Sequence, residues 1–405
     1  MGNSNNELGE VLRMTLVQEK SVVEELLEGA KRVGELAEKE MLQADGDCSV
    51  SENVVNLMKE TKITRIMLPK KYGEPQVGLK TLAKIVQTVS YHNVSAGWLT
   101  YLYPLHNILP AYLPEEGMDE IVNQGGCIAD VFATVGKAER DGEGFRITGT
   151  WDYASGSLHS DWIGLGVFAQ FPDSDKPEVC LPMLKASEIE IVKNWDTFGL
   201  RGTGSNRVIA DNVYVPMERV VRLEKADSLF VPPQENYDND YPFYHKPFYP
   251  AFYFGFAYMA LGGTERLIEE FKIATQKRTR LMDHNINESH SPRSQRVIAE
   301  ITTEFKAAQG LMDQYMELLE NYEKNGCVTS RAEFFALRTK TTKICAEIAV
   351  RVLMTLGGAA LYKGGIIEVL IRDILSVATH KTSLYEDAVA AYGKELFGFD
   401  GGVRG

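Results

Sequence analysis

Cysteine is scarce. The five in 405 residues (Cys48, Cys127, Cys180, Cys327 and Cys345) are odd in number, scattered and nowhere paired as C-x-x-C. That signals neither a disulfide framework nor a zinc site, and suits buried thiols in a reducing compartment. Basic charge is short as well: 43 Lys plus Arg against 56 Asp plus Glu give a formal net charge of −13, leaving no general basic surface for nucleic acid. The longest near-apolar run, Pro250 to Gly263, falls short of the ~20 residues that cross a bilayer, so no membrane span is expected. Residues 1–10 are polar and carry no apolar core of a secretory signal, so the expected location is cytoplasmic. The seven histidines are His92, His106, His159, His245, His284, His290 and His380; His284 and His290 stand six apart, a spacing that does not share one helical face, and no metal site is expected. The G-x-S-x-G elbow, the phosphate loop and a dinucleotide fingerprint after a strand are all missing.

What is present is a change of period. The length allows two or three folding units. Up to about residue 125 the pattern is helical, as Leu82, Ile85, Val86 and Val89 show, with turns at Pro69–Gly73 and Pro110–Pro114. From 126 to about 225 the period is two: Phe145 and Ile147 alternate with Arg146 and Thr148, and Val213 and Val215 alternate before Pro216. Glycine and Asp/Asn clusters at hairpin spacing suggest a small barrel or sandwich. From 226 to 405 an aromatic-rich loop gives way to helices, the later one through Ile344, Ile348, Val352 and Thr355 ending at Gly357-Gly358. The expectation is an α+β chain with helical ends around a β middle: residues 1–125, 126–225 and 226–405.

Two passages carry the chemistry. One is Gly149-Thr150-Trp151-Asp152-Tyr153-Ala154-Ser155-Gly156; the other runs Asn194-Trp195-Asp196-Thr197-Phe198-Gly199-Leu200-Arg201-Gly202-Thr203-Gly204-Ser205 and is followed by Val213-Tyr214-Val215-Pro216. Their form and spacing resemble those of the acyl-CoA dehydrogenase superfamily, and the W-x-Y-x-S-G and W-D-x-x-G-L-R-G-T-G-S forms resemble one branch, the oxygenase components of two-component (group D) flavin-dependent monooxygenases. Ser95-Ala96-Gly97-Trp98 with His106 beyond it, and His380 followed by Tyr392-Gly393, agree with that branch. The resemblance implies an N-terminal helical domain, a middle β-barrel or sandwich and a C-terminal four-helix bundle. It also implies reduced flavin, FMNH2 ahead of FADH2, delivered by a separate reductase; a C4a-hydroperoxyflavin that oxidises a small aromatic or heteroatom-containing substrate; and a homotetramer with no membrane or nucleic-acid partner.

Roles follow from the same resemblance. Ser155 suits a hydroxyl beside flavin N5, and His106 and His380 suit proton control near the substrate, because imidazole titrates near neutrality. His159 is the weaker candidate. Tyr153 and Trp195 suit either packing on the isoalloxazine or filling a barrel core. Gly156, Gly202, Thr203 and Ser205 suit its polar edge. Arg280 and Arg293 suit the flavin phosphate; Gly357, Gly358 and Arg372 suit the cofactor of a neighbouring subunit. The aromatic cluster from Tyr237 to Tyr258, with Phe248 and Tyr249, suits a flat substrate pocket. Two rivals stay open: an FAD-dependent acyl-CoA dehydrogenase with Glu386 as base, and a helical interaction protein that keeps the fold without flavin.

Overall fold

The computed structural model describes residues 3–223, 232, 241–280, 285–322 and 329–402, with side chains from Lys20 onward; Tyr237, His284 and Cys327 lie outside them. Six helices come first: α1 (Asn3–Lys39), α2 (Met41–Asp47), α3 (Glu52–Glu60), α4 (Leu79–His92), α5 (Val94–His106) and α6 (Glu115–Gln124). Asn93 separates two of them. Its extended backbone stops α4, while its side-chain oxygen accepts the Ala96 N–H at 2.9 Å and starts α5. The apolar stripe Leu82, Ile85, Val86 and Val89 is buried as its period requires, and α5 is buried along its whole length.

Strands β1 (Ile128–Asp141), β2 (Gly144–Ala154), β3 (Trp162–Ala169), β4 (Glu178–Lys185), β5 (Glu190–Val192), β6 (Asn206–Pro216) and β7 (Val220–Arg222) form one seven-stranded sheet in the order β5-β6-β2-β1-β3-β4-β7. Neighbouring strands pair antiparallel except β1 and β3, which pair parallel, with an irregularity between Val131 and Gly136. The sheet curls, bringing β4 against β6, which are not neighbours in the order. Inside it Phe145, Ile147, Trp151, Ile163, Leu165 and Val167 build a core of their own.

After the sheet come α7 (Phe248–Tyr253), α8 (Gly255–Lys277), a short pairing of β8 (Thr279–Arg280) with β9 (Ile286–Asn287), α9 (Pro292–Glu320), α10 (Arg331–Leu356), α11 (Ile366–Thr379) and α12 (Tyr385–Leu396). Helices α8 to α11 pack as a four-helix bundle, with α12 laid against α10. Helix α10 stops at Gly357, whose φ of 60° is the left-handed conformation glycine tolerates. Helix α4 packs on α8, so the helices on both sides of the sheet share a single core. Arg266 of α8 grips Glu38 of α1 with two bonds of 2.7 and 3.0 Å across that junction. Contrary to expectation, one stretch, Arg331–Leu361, is long and apolar enough to cross a bilayer. Here it is a bundle helix and the turn after it, with Val350, Met354, Leu361 and Tyr362 exposed on its outer side.

Candidate active site

Three elements converge on Ser155. Helix α5 supplies Trp98, the end of β2 supplies Ser155 and Gly156, and the turn before β6 supplies Thr203 and Ser205. The Trp98 indole N–H donates to Ser155 Oγ at 3.1 Å; Ser155 Oγ and Ser205 Oγ are 2.7 Å apart, as are Ser205 Oγ and Thr203 Oγ1; Thr203 donates to the Leu200 carbonyl at 2.8 Å. Each hydroxyl has a single proton, so the direction of the row is settled. Thr203 gives its proton to Leu200, Ser205 gives to Thr203, and Ser155 gives to Ser205. Ser155 is left with one lone pair and no proton to offer.

The backbone around this row is bent where side chains resist bending. Gly156 has a φ of 73°, and a Cβ there would sit 2.5 Å from the Tyr103 hydroxyl, which donates to the Gly156 carbonyl. Tyr153 has no such excuse: it holds a φ of 71° with its side chain 70 % exposed, edge-on to Trp195 at 6.0 Å. A bulky residue in the left-handed region is strained, and such strain gathers at functional sites. Neither ring fills the sheet interior. Trp195 is pinned through its indole N–H to the Leu200 carbonyl at 2.8 Å, so the pair forms an open aromatic face beside Ser155.

The Leu200–Ser205 turn is held from α11. Asp373 accepts the Leu200 N–H at 2.7 Å and the Ser95 hydroxyl at 3.3 Å, and burial pushes its carboxyl up to about 7. Arg372 next to it bonds to Glu368, to Asp45 at 2.9 Å and to the Phe198 carbonyl at 2.7 Å. The guanidinium is thereby a clamp on the hairpin within this chain. Asp373 was not legible as a functional residue; only its neighbourhood to Arg372 marked it.

The two candidate histidines are in opposite tautomers. His106 Nδ1 is 2.9 Å from the Ile128 carbonyl, which only accepts, so Nδ1 carries the proton and Nε2 is the acceptor. His380 Nδ1 accepts the Thr382 N–H at 3.3 Å, so its proton is on Nε2. His380 stacks on Phe256 at 4.8 Å and meets Trp98 edge-on at 5.3 Å, which joins it to the Ser155 row. Burial lowers both imidazoles to about 4. His106 is at once a satisfied core histidine and a site residue, for its Nε2 lies 3.1 Å from Asp130 Oδ2. That oxygen has no aligned hydrogen-bond partner, and burial drives the Asp130 carboxyl well above the usual range, so the pair's shared proton rests on Asp130 and the pair is neutral. Asp130 has no motif of its own; its partner is visible only in the fold. His159 instead ties Ser49 Oγ, at 3.1 Å, to the turn after β2.

Phe252, Tyr253 and Phe256 extend the aromatic region from His106 to His380: Phe252 stacks on Phe248 at 5.0 Å and on His106 at 6.0 Å. Phe248 and Tyr249 thus belong to the same aromatic wall. A second group forms elsewhere, at the end of α10. Arg280 donates to Ser291 Oγ at 2.6 Å, Arg293 reaches the Met354 carbonyl at 3.4 Å, and Gly357 and Gly358 are exposed beside them. Nothing among the described residues links this group to Ser155 within the chain. Glu386 is 81 % exposed and 3.3 Å from Lys343, a surface ion pair, which disfavours it as a base.

The residues present fit a reduced flavin: an acceptor-only hydroxyl and an exposed aromatic face. Residues 254–383 match the family described as acyl-CoA dehydrogenase, C-terminal domain. The chain is 24 % identical over 347 residues to the indole-3-acetate monooxygenase of Acinetobacter baumannii, covering 83 % of this chain and 85 % of that one. It is 25 % identical over 358 residues to the p-hydroxyphenylacetate 3-hydroxylase oxygenase component of the same species, covering 87 % and 84 %. Among solved structures, XiaF from Streptomyces sp. in complex with FADH2 and glycerol superimposes with a TM-score of 0.85 at 19 % identity, covering 96 % of this chain and 99 % of that one.

Proposed function

From the premise that this chain belongs to the oxygenase components of two-component flavin-dependent monooxygenases, within the acyl-CoA dehydrogenase superfamily, we propose how its own residues divide the work. The protein is an oxidoreductase that takes reduced flavin from a separate reductase and passes one oxygen atom of O2 to a small aromatic substrate, the other leaving as water. Bound flavin supplies the electrons for that step. Ser155, able only to accept, would hold the N5 proton of bound reduced flavin. The Trp98 and Ser205 bonds fix the Ser155 oxygen. Tyr153 and Trp195 would pack on the isoalloxazine, and the backbone from Gly202 to Ser205 would meet its polar edge. The neutral His106–Asp130 pair, whose shared proton lies between Asp130 and His106 Nε2, stands at one end of the aromatic wall, while the Nε2–H of His380 donates a hydrogen bond to the substrate at the other. The aromatic wall excludes water.

The reading extends to assembly. Arg280, Arg293, Gly357 and Gly358 serve the flavin of a neighbouring subunit in a homotetramer, supported by the exposed apolar side of the stretch ending α10. Free buried thiols at Cys127, Cys180 and Cys345 suit a cytoplasmic protein with no lipid or nucleic-acid partner. The acyl-CoA dehydrogenase alternative is disfavoured by the exposed Glu386.

The observation that carries the proposal is the oriented row ending on Ser155. It is tested by mixing the protein and anaerobically reduced FMN, or FAD, rapidly with oxygenated buffer. A lag before oxidised flavin appears, and hydroxylated product when an aromatic substrate is present, is the expected result. Oxidised flavin and hydrogen peroxide formed at once, with no product, would overturn it.

A further inference from the structure

Arg338, on α10, is 4 % exposed and makes no ion pair among the described residues. Its Nη2 donates to the Thr382 carbonyl at 2.6 Å, and its Nε has no partner. The surroundings are aromatic: the Tyr253 ring lies 5.4 Å and the Phe335 ring 5.1 Å from the guanidinium carbon. The nearby hydroxyls of Tyr101 and Tyr315 are committed to the Phe252 and Pro250 carbonyls. Arg219, also buried, has an Nε without a hydrogen-bond partner too, but a counter-charge stands 3.6 Å away in Glu120; the half-buried Arg266 holds Glu38 and Glu270, and Arg372 holds Glu368 and Asp45. A charge taken out of water without a counter-charge is destabilising, and proteins retain one where something else supplies the partner.

Its position says what the partner is. Thr382, which receives the Arg338 bond, also bonds to His380, and Tyr253 lies within electrostatic reach of both Arg338 and Asp130. The free side of the guanidinium therefore faces the aromatic region between His380 and His106. An unpaired Nε in a planar fork matches a planar carboxylate.

We propose that Arg338 seats a carboxylate carried by the substrate, so that the substrate is an aromatic acid whose ring lies on the Phe252–Phe256 wall. This rests on the oxygenase reading for where the substrate sits, but not for its test. Binding is measured without turnover, by calorimetry on flavin-free protein, with benzoate, phenylacetate and indole-3-carboxylate against their amides. At least one acid binds the wild type roughly 10- to 100-fold tighter than its amide. Arg338→Met abolishes that preference and Arg338→Lys retains part of it. Without ligand, Arg338→Met melts no lower than wild type, because it removes an uncompensated charge, and the preferred acid raises the melting temperature of the wild type alone. Equal binding of every acid and amide, no binding of any acid, or a preference that survives in Arg338→Met overturns the assignment. So does an Arg338→Met protein that melts lower or does not fold, since Arg338 is then structural. The flavin lag needs no substrate: its absence alongside an acid preference would sink the oxygenase and leave the carboxylate seat standing.

Discussion

Removing the Ser155 hydroxyl, and separately that of Ser205, reads the direction of the row. Ser155→Ala takes away the acceptor of the buried Trp98 indole N–H, so the variant is destabilised by about 1–3 kcal/mol. It also removes the lone pair assigned to the flavin N5 proton, worth about 1–1.5 kcal/mol net, and the lag before oxidised flavin shortens roughly 5- to 10-fold. Ser205→Ala is the sharper case, because the Ser205 hydroxyl bonds Ser155 at 2.7 Å, while the contact with flavin proposed for this residue is through its backbone, which the substitution keeps. Its loss frees the Ser155 proton to turn toward N5 and oppose the proton held there, so the lag shortens by a similar factor. As both variants break one device, the double variant is no worse than Ser155→Ala, a non-additivity that stopped-flow absorbance with reduced FMN measures directly. A Ser205→Ala protein with an unchanged lag, or effects that multiply in the double variant, would falsify the orientation.

Tyr153→Gly relaxes a left-handed residue while removing little buried surface, so unfolding by denaturant stays within about 1 kcal/mol of wild type. Affinity for reduced flavin, titrated anaerobically, nevertheless falls by up to about 10-fold with the lost ring; unchanged affinity removes Tyr153 from the cofactor face. Asp373 gives a pH dependence of defined sign. Burial raises its pKa from 3.8 unfolded to about 7 folded, so the native state binds the extra proton between those values, and its stabilising effect is full below the lower and lost as pH rises through the upper. Relative to Asp373→Asn, wild type therefore loses up to about 1.4 kcal/mol per pH unit across that window. Denaturant unfolding of both proteins at about pH 5 and pH 8 checks this, and a difference that does not vary with pH refutes it.

The layout of the chain was legible because period is local: Leu82 to Val89 repeat as a helix, and Phe145 to Thr148 alternate as a strand. Which strands pair is not local, and alternation in β1 says nothing of its parallel neighbour β3. The motifs brought Ser155, Thr203 and Ser205 to notice, but the direction of their hydrogen bonds depends on Trp98 and the Leu200 carbonyl, one from a different element. Tyr153 and Trp195 were ambiguous between cofactor face and core because aromatic residues suit both; the exposure of Tyr153 takes it out of the core. Asp130, Asp373 and Arg338 carry no motif at all. Their meaning arises from burial beside, or without, a partner, which no spacing along the chain encodes.

The shared core of the helices on either side of the sheet also sets a schedule for synthesis. Helix α4 leaves the ribosome with its apolar stripe complete, but α8, which covers it, follows only after the whole sheet has been made. At translation speeds that interval is on the order of ten seconds or more. The sheet, enclosing its own core, is free to fold meanwhile. The nascent N-terminal helices are thus a waiting client for holdase chaperones, and ribosome-bound chains ending before Gly255 should be the form such chaperones retain.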